Sequence, residues 1–457
     1  MDRIPSPLRY PLLYAAPSAS KATRNVMPTS SVQRRITRLA TLTAVHRAFH
    51  WLHLHQPQLR QWQLDLVRIP APSFGESARA AWFLDRFHQL GLTNVHTDDE
   101  GNVLAELTTA NHSPAEPPPD IRPSKSEVSP ADTPCILLSA HLDTVFPAGT
   151  DCEPTEMPDC ARIYAPGICD NAAGLSALLG IAAALRFANI TPPIPILFSA
   201  NVGEEGEGDL RGMRHLFERG PYRRRIAAAI ALEGSGTSAV VTQAIGSLRF
   251  RVTITGPGGH SWTDAGTPNP ILILSRALTH IADLKLPTNP LTTINVGHIS
   301  GGTSVNSIPE SATALLDLRS TDPTQLVATA TLIHQILDDL LSTFATHQTA
   351  DPPPKLHIQT IGSRPAGTLS DDSPILQTIR AVDRHLSLRT ELRLGSTDAN
   401  IPISRGLPAI AIGTGGTGGG IHTLHEWYDP TGRETALRRI LLILLDTIQI
   451  TAENHHT

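Results

Sequence analysis

Four apolar runs of strand length in this chain each lead to a residue able to hold a metal ion or a proton. CILLSA (135–140) runs into His141, and Ile194 to Ala200 leads to Glu204 and Glu205. AAAIAL (227–232) stops on Glu233, and AIAI (409–412) passes through a glycine-rich loop to His422. Between these runs the texture is helical: Ala172 to Leu185 is a continuous series of small and apolar residues, and Leu210 to Arg219 and Glu434 to Ile450 have helical patterning. Strands that alternate with helices pair in parallel and are covered on both faces. In open sheets of that kind, ligands collect at the carboxyl ends of the strands. The expected fold class is therefore α/β, with a mixed, mainly parallel sheet covered by helices.

The adjacent acids Glu204 and Glu205 are the sharpest point of this pattern. Neighbouring side chains on extended backbone point in opposite directions, so two adjacent acids can take different roles. Glu207 and Asp209 come soon after, which leaves a solvated acidic turn as the competing reading. The other strand ends decide between the two.

At 457 residues the chain is long enough for two domains with sizeable cores. A net charge of -5 and an aromatic content of 4% offer neither the basic face nor the stacking platforms of a nucleic-acid partner. No apolar run approaches a membrane span, so no membrane partner is expected. Cys135, Cys152, Cys160 and Cys169 lack the paired CxxC spacing of a structural zinc site. They are also too few to staple a secreted fold of this size. A reducing, cytoplasmic location is the expectation.

Residues 1–42 stand apart. They set Arg3, Arg9, Lys21, Arg24, Arg34, Arg35 and Arg38 against the single acid Asp2, and read as a disordered basic extension or an early start codon with Met27 available. An organelle leader is the competing reading. The first catalytic segment spans 43–246, with a helical stretch from Thr43 to Val67, a second helix from Glu76, a hairpin over Val95 to Leu107 and a polar, Pro-rich surface insert at 111–134. From 247 to 363 the texture changes: alternating LRFRVTIT, a helix near Pro270 to Leu284, strands at Leu291 to Ile299 and Ala312 to Leu318, a helix opened by Asp322-Pro323, and a strand at Lys355 to Ile361. This reads as an inserted α+β domain. Residues 364–457 return to α/β texture.

The candidate ligands are His141, Asp170, Glu205, Glu233 and His422. Two imidazoles and three carboxylates suit zinc, with manganese or cobalt as alternatives. Five ligands exceed the needs of one four-coordinate ion, and one carboxylate shared between two ions resolves the count. Paired ions lower the pKa of a water and clamp the oxygens of a tetrahedral intermediate. That chemistry needs a base, and Glu204 is the spare acid.

The motifs HLDTV, GICDNAAG, GEE, EGSG and GGGIHTLHEW resemble, in order, those of the co-catalytic zinc family of aminoacylase, acetylornithine deacetylase, glutamate carboxypeptidase and peptidase T, from about residue 60 onward. The resemblance implies a zinc-exopeptidase type of fold whose insert acts as lid and dimerisation domain. It implies His141 and Glu233 on one ion, Glu205 and His422 on the other, and Asp170 on both, with a cis peptide after Asp170. It further implies Asp143 as the acid that orients His141, Glu204 as base and Glu426 behind His422. In the insert, GPGGHSW places His260 as a group that polarises the substrate carbonyl, often from the partner subunit of a dimer. GGTSVNSIPE and LLDLRS place Asn306 and Arg319 at the substrate, the arginine fork gripping a carboxylate. The run of glycines GTGGTGGG, from Gly413, lacks the lysine of a phosphate loop and reads as an approach to His422.

The expected activity is metal-dependent hydrolysis of an amide. Glu at position 233 resembles the deacylases and the carboxypeptidase, whereas GEEGEGDLRGMRHLF and GGHSWTDAGTPNP look closer to peptidase T-like proteins. The expected enzyme is an exopeptidase on short peptides, with an N-acyl amino acid deacylase as the alternative and an inactive scaffold dimer as the reading from another class.

Overall fold

A computed structural model describes residues 30–108, 133–157, 161–347 and 353–456. Its central sheet has nine strands. Four of them, Ile196–Asn201, Cys135–His141, Ile226–Leu232 and Ala409–Ile412, lie side by side and parallel. The hairpin Thr93–Thr97 and Val103–Leu107 adds antiparallel strands beside Ile196–Asn201. Beyond Ala409–Ile412, the strand Ala239–Ala244 pairs antiparallel to it and also binds Gly367–Thr368 and Glu391–Gly395.

The strands are apolar on both faces because both faces are covered. Ile136, Leu138, Ala140, Phe198 and Ile230 point into the core beneath the helices Ala172–Phe187 and Arg433–His456. Their alternates Cys135, Leu137, Leu197, Ala229 and Ala231 pack with Leu210, Met213, Leu216 and Tyr222 on the opposite face. Because the four parallel strands share one direction, their carboxyl ends share one edge. Beyond those ends come His141, Glu204 with Glu205, Glu233, and the loop to His422.

The segment between Gly246 and Arg364 forms its own antiparallel sheet, in the order Thr292–Gly301, Ser311–Ser320, Gly246–Thr255, Lys355–Arg364. Helices Pro270–Ala282 and Pro323–His347 cover one face over Phe250, Val252, Ile254, Ala314, Leu316 and Leu318. The intervening residues of the same strands, including Arg249, Asp317 and Arg319, therefore occupy the uncovered face.

Three expectations change in detail. The folded chain begins before Thr43: Ser31–Ala40 is a helix, with Ser30 capping the Gln33 N–H at 3.1 Å. Ile36, Leu39 and Ala40 are buried against the helices Pro374–His385 and Arg433–His456. Arg35, one of the charges in the basic run, forms a two-pronged ion pair with buried Asp446 at 2.5 and 2.9 Å. A composition reading sees the arginines there; the apolar stripe at helical spacing determines the structure. The helix expected over Thr43 to Val67 is two helices, Thr43–Leu54 and Gln56–Val67, the second carrying Pro57 in its first turn. The helix expected over Leu210 to Arg219 is a short α segment, Arg211–Arg214, continued by a π turn, His215–Arg219. Cys160 and most of the Pro-rich insert lie outside the described residues.

If Ser31–Ala40 is part of the packed body, Ile36→Ala lowers unfolding stability by about 2–5 kcal/mol, as for other buried aliphatics cut to alanine. Urea unfolding measures this, and an unchanged midpoint would place the helix outside the cooperative fold.

Candidate active site

His141 ends its strand with the side chain fully buried, Nε2 lying 3.0 Å from Asp170 Oδ1 and 3.3 Å from Glu233 Oε1. His422 enters from the glycine-rich loop, Nε2 lying 3.1 Å from Asp170 Oδ2 and 3.0 Å from Glu205 Oε1. Asp170 thus turns one oxygen to each imidazole. The five residues form two ligand groups that share it: His141, Asp170 and Glu233, and Asp170, Glu205 and His422.

Local structure fixes these atoms. The Asp170–Asn171 peptide is cis, as the resemblance implies. Asn171 caps the helix Ala172–Phe187, its Oδ1 accepting from the N–H of Gly174 and of Gly234, each at 3.1 Å, while its Nδ2 donates to Leu232 O at 2.9 Å. One amide therefore locks the Asp170 turn to the strand end that carries Glu233. Gly174 is needed for the approach, since a Cβ there would lie 2.1 Å from Asn171 Oδ1 and 2.7 Å from Leu232 O. From the other side, Glu426 is fully buried and accepts the N–H groups of Gly167 at 2.9 Å and of Cys169 and Asp170 at 2.8 Å. His422 holds a left-handed backbone, φ +65°, a strained state for a non-glycine residue of the kind concentrated at ligand sites.

Asp143 does more than its place beside His141 suggests. His141 Nδ1 lies 3.0 Å from the Asp143 carbonyl oxygen and 3.5 Å from its carboxylate. The carboxylate accepts the backbone N–H of Glu204 and of Glu205, each at 2.9 Å, together with the Ser73 hydroxyl at 2.8 Å. One buried acid thus sets the backbone on which both glutamates stand.

Electrostatics favour positive charge here. Burial pushes the Asp170 carboxyl up, yet His141 and His422 overcome this and hold it well below the usual carboxylate range. Burial lowers His141, but Glu233, Asp143 and Asp170 raise it well above its ordinary value. Bonds to Asp170 and Glu205 bring His422 up to about 10. Burial raises Glu233 to about 7 against the pull of His141. Glu233 Oε2 is buried with no hydrogen-bond partner, a costly state for a carboxylate oxygen. An orphaned oxygen among crowded carboxylates and imidazoles fits a site built for cations, and this donor set suits two divalent ions.

Glu204 differs from its neighbour. With His141 and Glu205 it forms a third group close enough to hold a metal ion, but its Oε1 also accepts from Arg364 Nη1 at 3.1 Å. Burial raises Glu204 well above the ordinary carboxyl value, with Arg364 and His141 opposing. It opens onto a cleft of about 440 Å³ bounded by Asp170, Glu205, Glu233 and His422 on the sheet side and by Arg249, Arg319 and Arg364 on the insert side. Arg319 Nε binds Asp317 at 2.6 Å, and Arg249 binds the other oxygen of Asp317 at 3.3 Å.

His260 and Asn306 are not among the residues that bound this cleft. They lie together on a small ladder, where Gly259–His260 pairs with Ser307–Ile308 and Ser261 N donates to Asn306 O at 3.0 Å. His260 is exposed. Asp398 is buried behind the cluster, held by Asn201 at 2.7 Å and raised by burial to about 6. The glycine-rich run forms the short strand Thr417–Gly419 against Trp427–Asp429. Ser73, Arg249 and Arg364 are absent from the sequence-based site. Only the GSRPAG segment at the exit of the insert carries a trace of the last, as a charge at the end of the strand Lys355–Arg364.

Comparison with known families matches residues 137–449 to Peptidase family M20/M25/M40. The chain belongs to that family. As an M20/M25/M40 peptidase it is a metal-dependent peptide hydrolase. A probable carboxypeptidase of Aspergillus clavatus is 27% identical over 331 residues, 66% of this chain and 68% of that protein. Among solved structures, a tripeptidase from Staphylococcus aureus has a TM-score of 0.65 at 22% identity, covering 86% of this chain and 98% of that one. A protein of Bacillus subtilis described as a dinuclear metal-binding peptidase of the M20 family has a TM-score of 0.60 at 14% identity, covering 86% of this chain and 98% of that one. Both structures share the mixed α/β fold.

Glu426 bonds to the backbone of the Asp170 loop and acts on the cluster through it. Glu426→Gln is therefore expected to weaken binding of a divalent ion, with zinc as the probe, by about tenfold or more, as for other groups that orient ligands. Competition titration against a zinc chelator measures this, and an unchanged affinity would show that the loop holds Asp170 without it.

Proposed function

We propose that this M20/M25/M40 peptidase is a cytoplasmic exopeptidase that cleaves short peptides with two divalent ions, zinc in the native enzyme. His141, Asp170 and Glu233 would hold one ion and Asp170, Glu205 and His422 the other. The observation that carries this reading is the pair of ligand groups sharing Asp170, set beside an acid that lies outside both and already has a cationic partner. The cleft of about 440 Å³ falls among pockets for compact ligands, about 300–1,000 Å³, which suits a di- or tripeptide. Apart from Val145 and Gly206, its lining is polar or charged, which favours a substrate end bearing charge.

When bound, the ions supply Lewis acidity to the scissile carbonyl and to the attacking water. Glu204 takes a proton from that water as it adds to the carbonyl carbon, and returns it to the departing amine nitrogen as the C–N bond breaks. Asp143 keeps Glu204 and Glu205 in register for these two tasks by holding both backbone N–H groups. Arg319 faces the cleft from the insert and grips the substrate carboxylate with the Nη edge left free by Asp317. An N-acyl amino acid presents the same amide and the same carboxylate, so deacylation is the second reading, favoured by Glu rather than Asp at position 233.

The separation of His260 and Asn306 from the cleft of their own chain supports a homodimer in which they serve the partner's site. Glu204→Gln should abolish dipeptide hydrolysis while metal content stays near wild type; loss of metal would assign Glu204 as a ligand. His260→Ala should lower kcat by about a hundredfold or more, as for lost oxyanion donors. If His260 acts across the dimer, mixing the two inactive variants restores activity, because one site of each heterodimer then has both residues. Persistent inactivity of proven heterodimers would place His260 in its own chain's site, and an unchanged kcat in His260→Ala alone would place it outside catalysis.

A further inference from the structure

The insert joins the body through two adjacent strands. The chain enters it at Gly246–Thr255 and leaves it at Lys355–Arg364, and the register pairs Arg364 with Ser247. Arg364 therefore sits where both connections meet, at the base of the insert. It is 5% exposed, and both of its terminal nitrogens reach Glu204. Nη1 donates to Glu204 Oε1 at 3.1 Å and Nη2 donates to the Glu204 carbonyl oxygen. Nη1 also donates to Ser396, lying 3.3 Å from its Oγ and 3.4 Å from its carbonyl oxygen, and Ser396 lines the same cleft.

A structural anchor for the end of the strand is already present one residue earlier. Ser363 N donates to both oxygens of Asp209, at 2.9 and 3.0 Å, and Ser363 O accepts from Arg214. Arg249, from the neighbouring strand, adds a bond to Gly206 O at 2.9 Å. The Glu204–Asp209 loop is thus tied to the insert without Arg364. What Arg364 adds is a grip on the carbonyl and the carboxylate of one residue, which fixes its backbone and its side chain together. The planar fork of arginine reaches both acceptors at once, whereas a lysine ammonium satisfies one such direction.

We propose that Arg364 is a positioning residue for Glu204, aiming its carboxylate into the cleft and linking that aim to the base of the insert. The proposal rests on the reading of Glu204 as the base. It assigns Arg364 a role through Glu204, with no contact to the reacting atoms required.

The test uses the full chain loaded with zinc and assayed on a dipeptide. Arg364→Met is expected to lower kcat by about a hundredfold, the scale reached when a reacting group is misplaced by about 1 Å. KM and zinc content stay near wild type, and Arg364→Lys recovers part of the loss. In a Glu204→Asp background, which already misplaces the carboxylate, Arg364→Met costs much less, because residues acting as one unit are not additive. Crystal structures of Arg364→Met and Arg364→Lys are expected to show the Glu204 carboxylate turned from its wild-type position. Equal losses in both backgrounds, or an unmoved Glu204, would overturn the proposal, and if the methionine variant does not fold the lysine variant decides by the same readings. If the wild-type enzyme cleaves neither peptides nor N-acyl amino acids, the proposed function has failed. The position of Glu204 in the variant crystals still decides whether Arg364 sets it.

Discussion

The arrangement depends on one carboxylate being shared. Asp170 offers an oxygen to His141 and an oxygen to His422, and every nearby element works to hold it there. Glu426 collects three backbone N–H groups of its turn, and Asn171 joins that turn to the strand of Glu233. Four acids and His141, buried or partly buried, with the more exposed His422 at their edge, repel or neutralise one another unless cations enter. Desolvation alone would protonate several of them. Two divalent ions held here would relieve the repulsion and use the orphaned Glu233 oxygen, so that an acidic edge that weakens the fold would become a site that binding stabilises.

The sheet explains why this edge collects these residues. Four parallel strands present their carboxyl ends together, and helices on both faces require apolar side chains along the strands themselves. Chemistry is therefore confined to the first residues beyond the apolar runs, which is where His141, Glu204, Glu205 and Glu233 occur. This made the residues that cluster at that edge legible in the sequence. The runs CILLSA, ILFSA and AAAIAL are too apolar to lie anywhere but the core, and the polar residues directly after each run must emerge at the same edge. His422 was legible for a different reason, through the GGGIHTLHEW motif, since its loop obeys no strand pattern.

The features that were not legible depended on long-range pairing. Arg35 reads as one more charge in a basic tail, because nothing near it announces Asp446, which lies 411 residues away. Arg364 reads as a surface charge closing a strand, because its partner Glu204 is 160 residues distant. Asp143 reads as a companion of His141, two residues off, and its larger task of holding the backbone of Glu204 and Glu205 depends on how parallel strands align. Local pattern specifies elements and their apolar faces. Ion pairs between buried residues of distant elements are a product of the assembled fold.

The two walls of the cleft have opposite chemistry for a topological reason. The sheet edge presents carboxylates and imidazoles, fixed by loops at strand ends. The insert presents Arg249 and Arg319, carried on alternate positions of antiparallel strands whose other face is covered by helices. The uncovered face needs polar residues in any case, so cations can be placed there without disturbing a core. Asp317 between them orders both side chains through one edge each and leaves a net positive wall. Under the proposed function, charge for the reaction would belong to one folding unit and charge for gripping the substrate to another, and a substrate with an anionic end would lie across the gap with its amide toward the carboxylate edge. Changes on the open face of the insert can then alter which substrate is held while the geometry of the ligand groups stays as the parallel sheet sets it.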